Sequence, residues 1–420
     1  MATKYWVGGA AAVAQVQSGT IDTVDATPAN NTYTVTIGSA TVSVAGNTDA
    51  NTTAADLVTA LLAATDPRFT AVTWSNPSGS TVQGTAAIAG VPFVAALSVT
   101  GAGTGTVTDF SVTTANEGPA SASTPGNYSD GALPSASDTL VFKDTSKNLS
   151  YDLEAITDDL NVVIHQTYTG RIGLRRNSFA TSADGATAET GIEDNRPTHF
   201  KLPISSLEIG VHNGPGSPAG SVRIKINNSK SGASTTIIYD TNNSGENQTP
   251  AVHLLSSNAS ADVYINGCPG GVGLGVDEPG ETATFGAIQV AAGPQQQVFI
   301  GDGVTYTTLE GKSGSILADS AATVTKVENN GADITLSGAY LVTTLENNAG
   351  VTFANNAPSA GAAITNANLN GGVVDASQDQ QARTWTTVTM GEDATLIYDS
   401  AHLTVSTLAQ PAGLRTLSTT

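Results

Sequence analysis

Three stretches of this sequence superpose when shifted by 18 residues. Tyr306-Thr-Thr-Leu309-Glu310 aligns with Val324-Thr-Lys-Val327-Glu328 and with Val342-Thr-Thr-Leu345-Glu346; Ile316 aligns with Ile334, Asn329-Asn330 with Asn347-Asn348, and Trp385 more loosely with Leu403. A fixed period constrains architecture before any local propensity does, because each unit buries its apolar face only against the next one. A short unit rich in Val, Ile, Thr and Asn reads as one turn of a coil, stacked on its neighbour at a strand spacing of about 4.8 Å. The apolar positions then form a continuous internal ladder, while Asn supplies side-chain hydrogen bonds at the corners and Gly supplies the positive φ of tight bends. Val324 and Val327 are an odd number of residues apart. For both to face inward, the chain must bend or bulge between them. Carried through residues 201–408, the period predicts roughly ten turns and a rod of about 45–50 Å.

The composition agrees with that coil and excludes several roles. Only 12% of the 420 residues are charged, with 16 Lys or Arg against 36 Asp or Glu, so the net charge is −20. An ordinary domain has about a quarter charged residues; here Thr, Ser, Asn and Gly provide the polar surface instead. Hydrophobic residues still make up 39%, enough for a packed core. An acidic chain without clustered Lys and Arg does not coat a phosphate backbone, so nucleic acid is not an expected partner. The single cysteine, Cys268, permits no internal disulfide and reads as a small buried hydrophobe. No run of 18 apolar residues is present, and Gly8-Gly9 breaks the apolar stretch after Tyr5-Trp6-Val7. The expectation is a soluble protein made in a cytoplasm, with no membrane partner.

Strand patterns dominate the remainder, with one clear exception. Residues 51–64 place Ala54, Leu57, Val58, Leu61 and Leu62 on one helical face, with Asn51 or Thr52 as the capping candidate and a stop at Asp66-Pro67. A hairpin of 33–37 and 40–44 precedes this helix, and strands near 69–74, 81–88 and 93–99 follow it. Together they predict a compact α+β module over 15–116. The fold class expected is therefore mainly β: a parallel β-helix (solenoid) with a small α+β domain inserted near the N-terminus. Residues 1–14 and 117–200 form its opening cap and first coils, 201–408 its 18-residue rungs, and 409–420 a C-terminal tail that leaves the strand pattern after Pro411.

Several motifs in fixed order then carry a resemblance. Trp6-Val-Gly-Gly9, Asn127-Tyr-Ser-Asp130, Gly170-Arg-Ile-Gly-Leu174, Leu207-Glu-Ile-Gly210, Gly220-Ser-Val-Arg-Ile-Lys-Ile226 and Pro250-Ala-Val-His-Leu254 resemble a family of tailed-bacteriophage virion proteins, over about residues 1–290. The resemblance implies a β-helical protein of the capsid exterior, of the decoration or head-fibre kind, forming a homotrimer on the major capsid protein. A tail fibre or tailspike that binds a receptor is the alternative. The inserted module also resembles small domains of phage head and tail proteins. Tyr128 stands where the family pattern usually has Trp, and the Glu-bearing turns after residue 300 lie outside the matched span. In the decoration reading the capsid contact falls on the N-terminal portion, including Tyr5 and Trp6.

No enzymatic signature accompanies these motifs. The chain lacks a nucleophile elbow, a zinc-protease helix and a phosphate loop, and its five histidines, His165, His199, His212, His253 and His402, have no paired ligand spacing. Gly101-Ala-Gly-Thr-Gly105 runs into a strand, so a phosphate there would lack the helix N-terminus that holds it. No cofactor is expected. The column Glu310, Glu328 and Glu346 has three readings: a solvated acidic stripe, a divalent-cation site, or a carboxylate pair at a spacing suited to glycan hydrolysis. If the column is only repulsive, Glu328→Gln raises stability; a loss that chelation of the unmodified protein reproduces marks a bound ion. Trp6, Trp74 and Trp385 are expected to be buried, not to form sugar platforms.

Overall fold

The structure, a computed structural model, describes residues 1–170, 172, 200–211, 224–241, 250–276, 281–319, 323–338, 340–354, 363–378, 382–411 and 417–419. It is mostly β, with a parallel β-solenoid of about nine turns. From Ala283 onward, successive coils pair through three strand segments each. The first face stacks residues 283–285 on 304–306 and, in later coils, 323–324, 341–342, 363–364, 384–385 and 404–405; the second stacks 308–311, 326–329, 344–347, 366–369 and 387–390; the third stacks 315–318, 333–336, 351–354 and 373–376.

The pairing reproduces the sequence alignment where the repeat is strictest. Leu309 pairs with Val327 and Val327 with Leu345, Glu310 with Glu328 and Glu328 with Glu346, and Ile316 with Ile334. Val324 and Val327 are both buried, and the ladder skips Thr325 between them, so the odd parity is resolved by a one-residue corner. Val324, Val342, Ile364 and Trp385 form one internal ladder, and Leu309, Val327, Leu345, Ala367 and Val388 form another.

The period is not uniform. Thr308, Lys326 and Thr344 are 18 residues apart, but Thr344 pairs with Asn366, Asn366 with Thr387 and Thr387 with Thr407. Trp385 accordingly pairs with Val405, not Leu403. Elsewhere the second corner also changes, since Leu369 pairs with Met390 but Gly371 with Asp393, and Ile288 to Val298 is a longer step than Leu309 to Ile316. Between the coils opening at Thr323, Leu341 and Ala363 the differences fall at one place. Thr323 to Asp333, Leu341 to Val351 and Ala363 to Val373 are equal steps across the first two corners. The connection from the third face back to the first varies: Leu336 to Leu341 is shorter than Ala354 to Ala363 or Ala376 to Thr384. Earlier coils are longer again, with Leu207 paired to Thr236 and Val263 to Ile288. Rungs of 18 residues are thus the shortest coils of the rod and not its general unit. The tail does not leave the coil either, since Leu417–Thr419 runs parallel to Ile397–Asp399.

At the N-terminus, Thr3–Tyr5 pairs in parallel with Thr139–Phe142, which pairs in turn with Leu160–His165. The first and second halves of the opening cap are therefore one sheet. Between them Val13 and Glu117 form an antiparallel bridge, and the intervening residues build a separate core of Ile21, Tyr33, Val35, Leu57, Leu61, Phe69, Trp74 and others, none shared with the coil's core. Two antiparallel sheets enclose it, one of four strands and one of three. Helix α1, Ala50–Ala63, covers them. Its cap is Asp49, whose carboxylate accepts from the Thr52 amide, and not Asn51 or Thr52; Leu62 points to solvent while Thr53 takes an inward position. Asp49 has the extended backbone that an N-cap needs, and its side chain reaches the exposed amides better than a residue inside the first turn. Phe69 belongs to a short second helix, α2, Pro67–Thr70, because Pro67 starts a helical turn after Asp66. The next strand begins at Val72, and the strands expected at 81–88 and 93–99 span Thr81–Ala86 and Ala96–Gly101.

Candidate functional site

The second face presents outward the acidic column anticipated from the repeat, and neighbours extend it at both ends. In register it reads Gln289, Glu310, Glu328, Glu346, Asn368 and Thr389. Two lysines lie against it. Lys326 Nζ sits 2.7 Å from Glu328 Oε2 and 2.7 Å from Glu346 Oε2, and Lys312 Nζ is 3.5 Å from Glu310 Oε1. Gln289 Nε2 donates to the other Glu310 oxygen, Oε2.

These contacts settle the electrostatics of the stripe. Hydrogen bonds to Glu328 and Glu346 push the Lys326 ammonium up to about 12, and the same Lys326 contact, with a smaller one from Asn330, holds the Glu328 carboxyl below the usual range. Both charged forms are favoured by pairing, because each stabilises its partner's ionised state. The condition under which Glu328→Gln would raise stability, a purely repulsive column, is not met: an ammonium lies between Glu328 and Glu346, so removing the carboxylate removes an attraction. Among the described residues no group of three or more His, Cys, Asp or Glu is arranged to hold a metal ion.

A second column runs beside the carboxylates at the corner. Asn348 Nδ2 donates to Asn330 Oδ1 at 2.8 Å and Asn370 Nδ2 to Asn348 Oδ1 at 2.8 Å, while Asn330 Nδ2 reaches Glu310 Oε1 at 3.1 Å and Glu328 Oε1 at 3.0 Å. One residue earlier the amides turn inward. Asn329 and Asn347 are fully buried, and Thr352 Oγ1 both accepts from Asn329 Nδ2 and donates to Asn347 Oδ1. Lys312, Gln289, Asn368 and Asn370 were not evident from the repeat. The first two precede or interrupt it, and the others follow a longer coil.

The other candidate residues are dispersed. Trp6 does not reach the surface: it is 1% exposed, packs edge-on to Tyr128 with ring centroids 5.6 Å apart, and donates from Nε1 to the Lys147 carbonyl. Tyr5, at 46% exposure, is the aromatic that the cap presents outward. This corrects the expected contact, because strand alternation sends adjacent side chains to opposite faces. Trp74 and Trp385 are buried in the module and the coil respectively. Cys268 is buried, which pushes its thiol up to about 12 and makes it a packing residue. In the glycine-rich loop, Asp25 Oδ2 accepts from the Thr104 amide and hydroxyl. A carboxylate thus occupies the position where a phosphate would need donors. His199 and His212 lie outside the described residues, as do most of the Gly170–Leu174 and Gly220–Ile226 motifs; His402 Nδ1 lies 2.7 Å from Asp399 Oδ2, and His165 and His253 are on separate strands.

Comparison with protein-family models, with curated proteins and with solved structures finds no match to this chain.

Proposed function

We propose that this chain is a non-enzymatic structural protein of a tailed-bacteriophage particle, which decorates or cements the outside of the capsid as a homotrimer bound to the major capsid protein. The observation that carries this reading is the meeting, in one cap, of motifs that are distant in sequence. Trp6 packs on Tyr128, Lys4 Nζ pairs with Asp130, and the Asn127 carboxamide accepts from the Ala10 amide and donates to the Gly118 and Ser121 carbonyls. Leu207 and Val252, from two further motifs, lie on later coils of the same core. Motifs that resemble a family in order and also build one structural unit support the resemblance better than order alone.

The role follows from the shape and chemistry of a rod. A β-helix offers long faces for lateral contact, and its polar stripe is paired within the chain, so its charges act on its own coils. In this reading the cap docks on the capsid with Tyr5 among its exposed residues, over an interface of about 800 Å² per partner. The protein is made in the host cytoplasm and resides on the particle exterior. Its position and copy number in purified particles test the proposal. Density over the capsid surface, in numbers commensurate with the lattice, is the expected result. A few copies at the tail tip would establish the tail-fibre or tailspike alternative.

A further inference from the structure

The three faces of the coil differ in what they show to solvent. On the second face the outward charges are matched by Lys312, Lys326 and the Asn column. The third face carries outward acids, Asp333 and Asp375, with no lysine or arginine among its described outward strand positions. The first face shows no charge to solvent; Arg383, on its ladder opposite Leu403, is buried. Its outward positions are Thr305 and Thr307, Thr323 and Thr325, Leu341 and Thr343, Ala363 and Thr365, Thr384 and Thr386, then Thr404 and Ser406, coil after coil in register. The inward residues between them are Tyr306, Val324, Val342, Ile364, Trp385 and Val405, so the outward set is fixed by strand alternation.

We propose that this uncharged threonine face is where a second copy of the chain packs, side by side along the rod. The proposal rests on the self-assembly that the proposed function includes and names its surface. Three arguments select a second copy as the occupant. A chain with a net charge of −20 meets repulsion when it approaches its own copy, and this is the one of the three faces whose described outward strand positions carry no charge. A hydroxyl is both donor and acceptor, so a hydroxyl array can face an identical array; carboxylates cannot. Threonine is stiff at χ1, so ordering these side chains against a partner costs less than ordering Lys or Glu. Six coils at about 4.8 Å and five residues at about 3.3 Å span on the order of 500 Å² before corrugation. That is below the roughly 800 Å² per partner of a standard interface, and Leu341, 39% exposed at mid-height, supplies an apolar anchor.

The test is the mass of the intact protein in solution, by sedimentation or light scattering at physiological salt, for the unmodified chain, Thr343→Glu, Thr365→Glu, and the control Thr335→Glu on the third face. The expected result is an oligomer for the unmodified chain and the control, and at least tenfold weaker association for Thr343→Glu and Thr365→Glu, with unchanged β-sheet circular dichroism. A monomeric unmodified chain overturns the proposal, as does an oligomer that survives both substitutions. Should either variant fail to fold, Leu341→Thr, which keeps strand propensity and removes the anchor, gives the same readout. Particle location is measured separately, so an oligomer absent from particles defeats the proposed function and leaves this inference standing, whereas a monomer that still decorates particles does the reverse.

Discussion

Asn329 holds a corner of the coil closed. Its Oδ1 accepts from the Gly331 and Ala332 amides at 3.1 and 2.9 Å, and its Nδ2 donates to the Ala332 and Val351 carbonyls and to Thr352 Oγ1. All of this occurs without solvent, and a buried polar group left unpaired costs about 1–3 kcal/mol. Asn329→Ala is therefore expected to lower unfolding free energy by about 2–4 kcal/mol in denaturant titrations. Asn330→Ala, one position on and half-exposed, is expected to cost less than about 1 kcal/mol. Equal losses for the two would contradict this assignment. The carboxylate beside them follows a different rule. Glu328 is held low by Lys326, so its contribution is present above the ordinary carboxylate range and is lost as pH falls through its folded value. Lys326, raised to about 12, contributes below the ordinary lysine value of about 10.4 and loses that contribution as pH rises toward 12. Because both side chains are partly exposed, Glu328→Gln should lower stability by no more than about 1 kcal/mol, less in high salt. Its melting temperature should also fall less steeply than the parent's between about pH 5 and pH 3, and a variant more stable than the parent at pH 7 would refute the pairing.

The variation in coil length has a physical address that explains what the sequence reveals and hides. Corners one and two lie inside continuous ladders, where Thr323–Leu336, Leu341–Ala354 and Ala363–Ala376 run as single bent strands. An added residue within a paired segment would slip the register and turn inward side chains outward, although a bulge at the second corner absorbs one before Asp393. The third corner has no ladder to protect. Where it is short in successive coils, as after Ala318 and Leu336, the period is visible and the column at Glu310, Glu328 and Glu346 can be aligned by eye. Where it lengthens after Ala354, an 18-residue shift no longer aligns the coils, so it misses Asn368 and Asn370 and pairs Trp385 with Leu403 instead of Val405. The inserted helix was legible from its periodicity, but its cap was not, because several polar residues precede it and only backbone geometry selects Asp49. Inserting four Gly or Ser residues after Ser337 should therefore cost about 1 kcal/mol or less, since loop closure grows slowly with length. The same insertion between Asn330 and Gly331 should cost more, because it separates Asn329 from the Gly331 and Ala332 amides that it accepts from. Comparable circular dichroism and denaturation midpoints for the two insertions would show that the corners are equivalent, contrary to this account.

At the scale of the whole chain, the separate cores of coil and module imply separate folding units. The module's hydrophobic cluster shares no residue with that of the coil, and the chain leaves and re-enters the cap at one point. Val13 N donates to the Glu117 carbonyl at 2.7 Å, and Glu117 N donates back to Val13. A hydrogen-bonded antiparallel pair brings its two Cα atoms to about 5.5 Å, which a link of two residues spans at about 3.8 Å per step. Around that junction the cap is held by its own contacts: Trp6 against Tyr128 and Phe142, Asp138 accepting from the Ala2 amide, and Asp152 accepting from Ser121 and Ser123. From the module side, Asn116 donates to Asp152 and the Gly90 amide donates to the Val13 carbonyl at 3.1 Å. Replacing residues 14–116 by a Gly-Ser link should thus leave a coil whose denaturation midpoint lies close to the parent's, and calorimetry should show two transitions in the parent and one in the shortened chain. Trp6→Ala in either background removes a buried aromatic, at a cost of about 3–5 kcal/mol, and should lower only the coil's transition. A single cooperative transition in the parent, abolished by excision, would mean that module and cap fold as one unit.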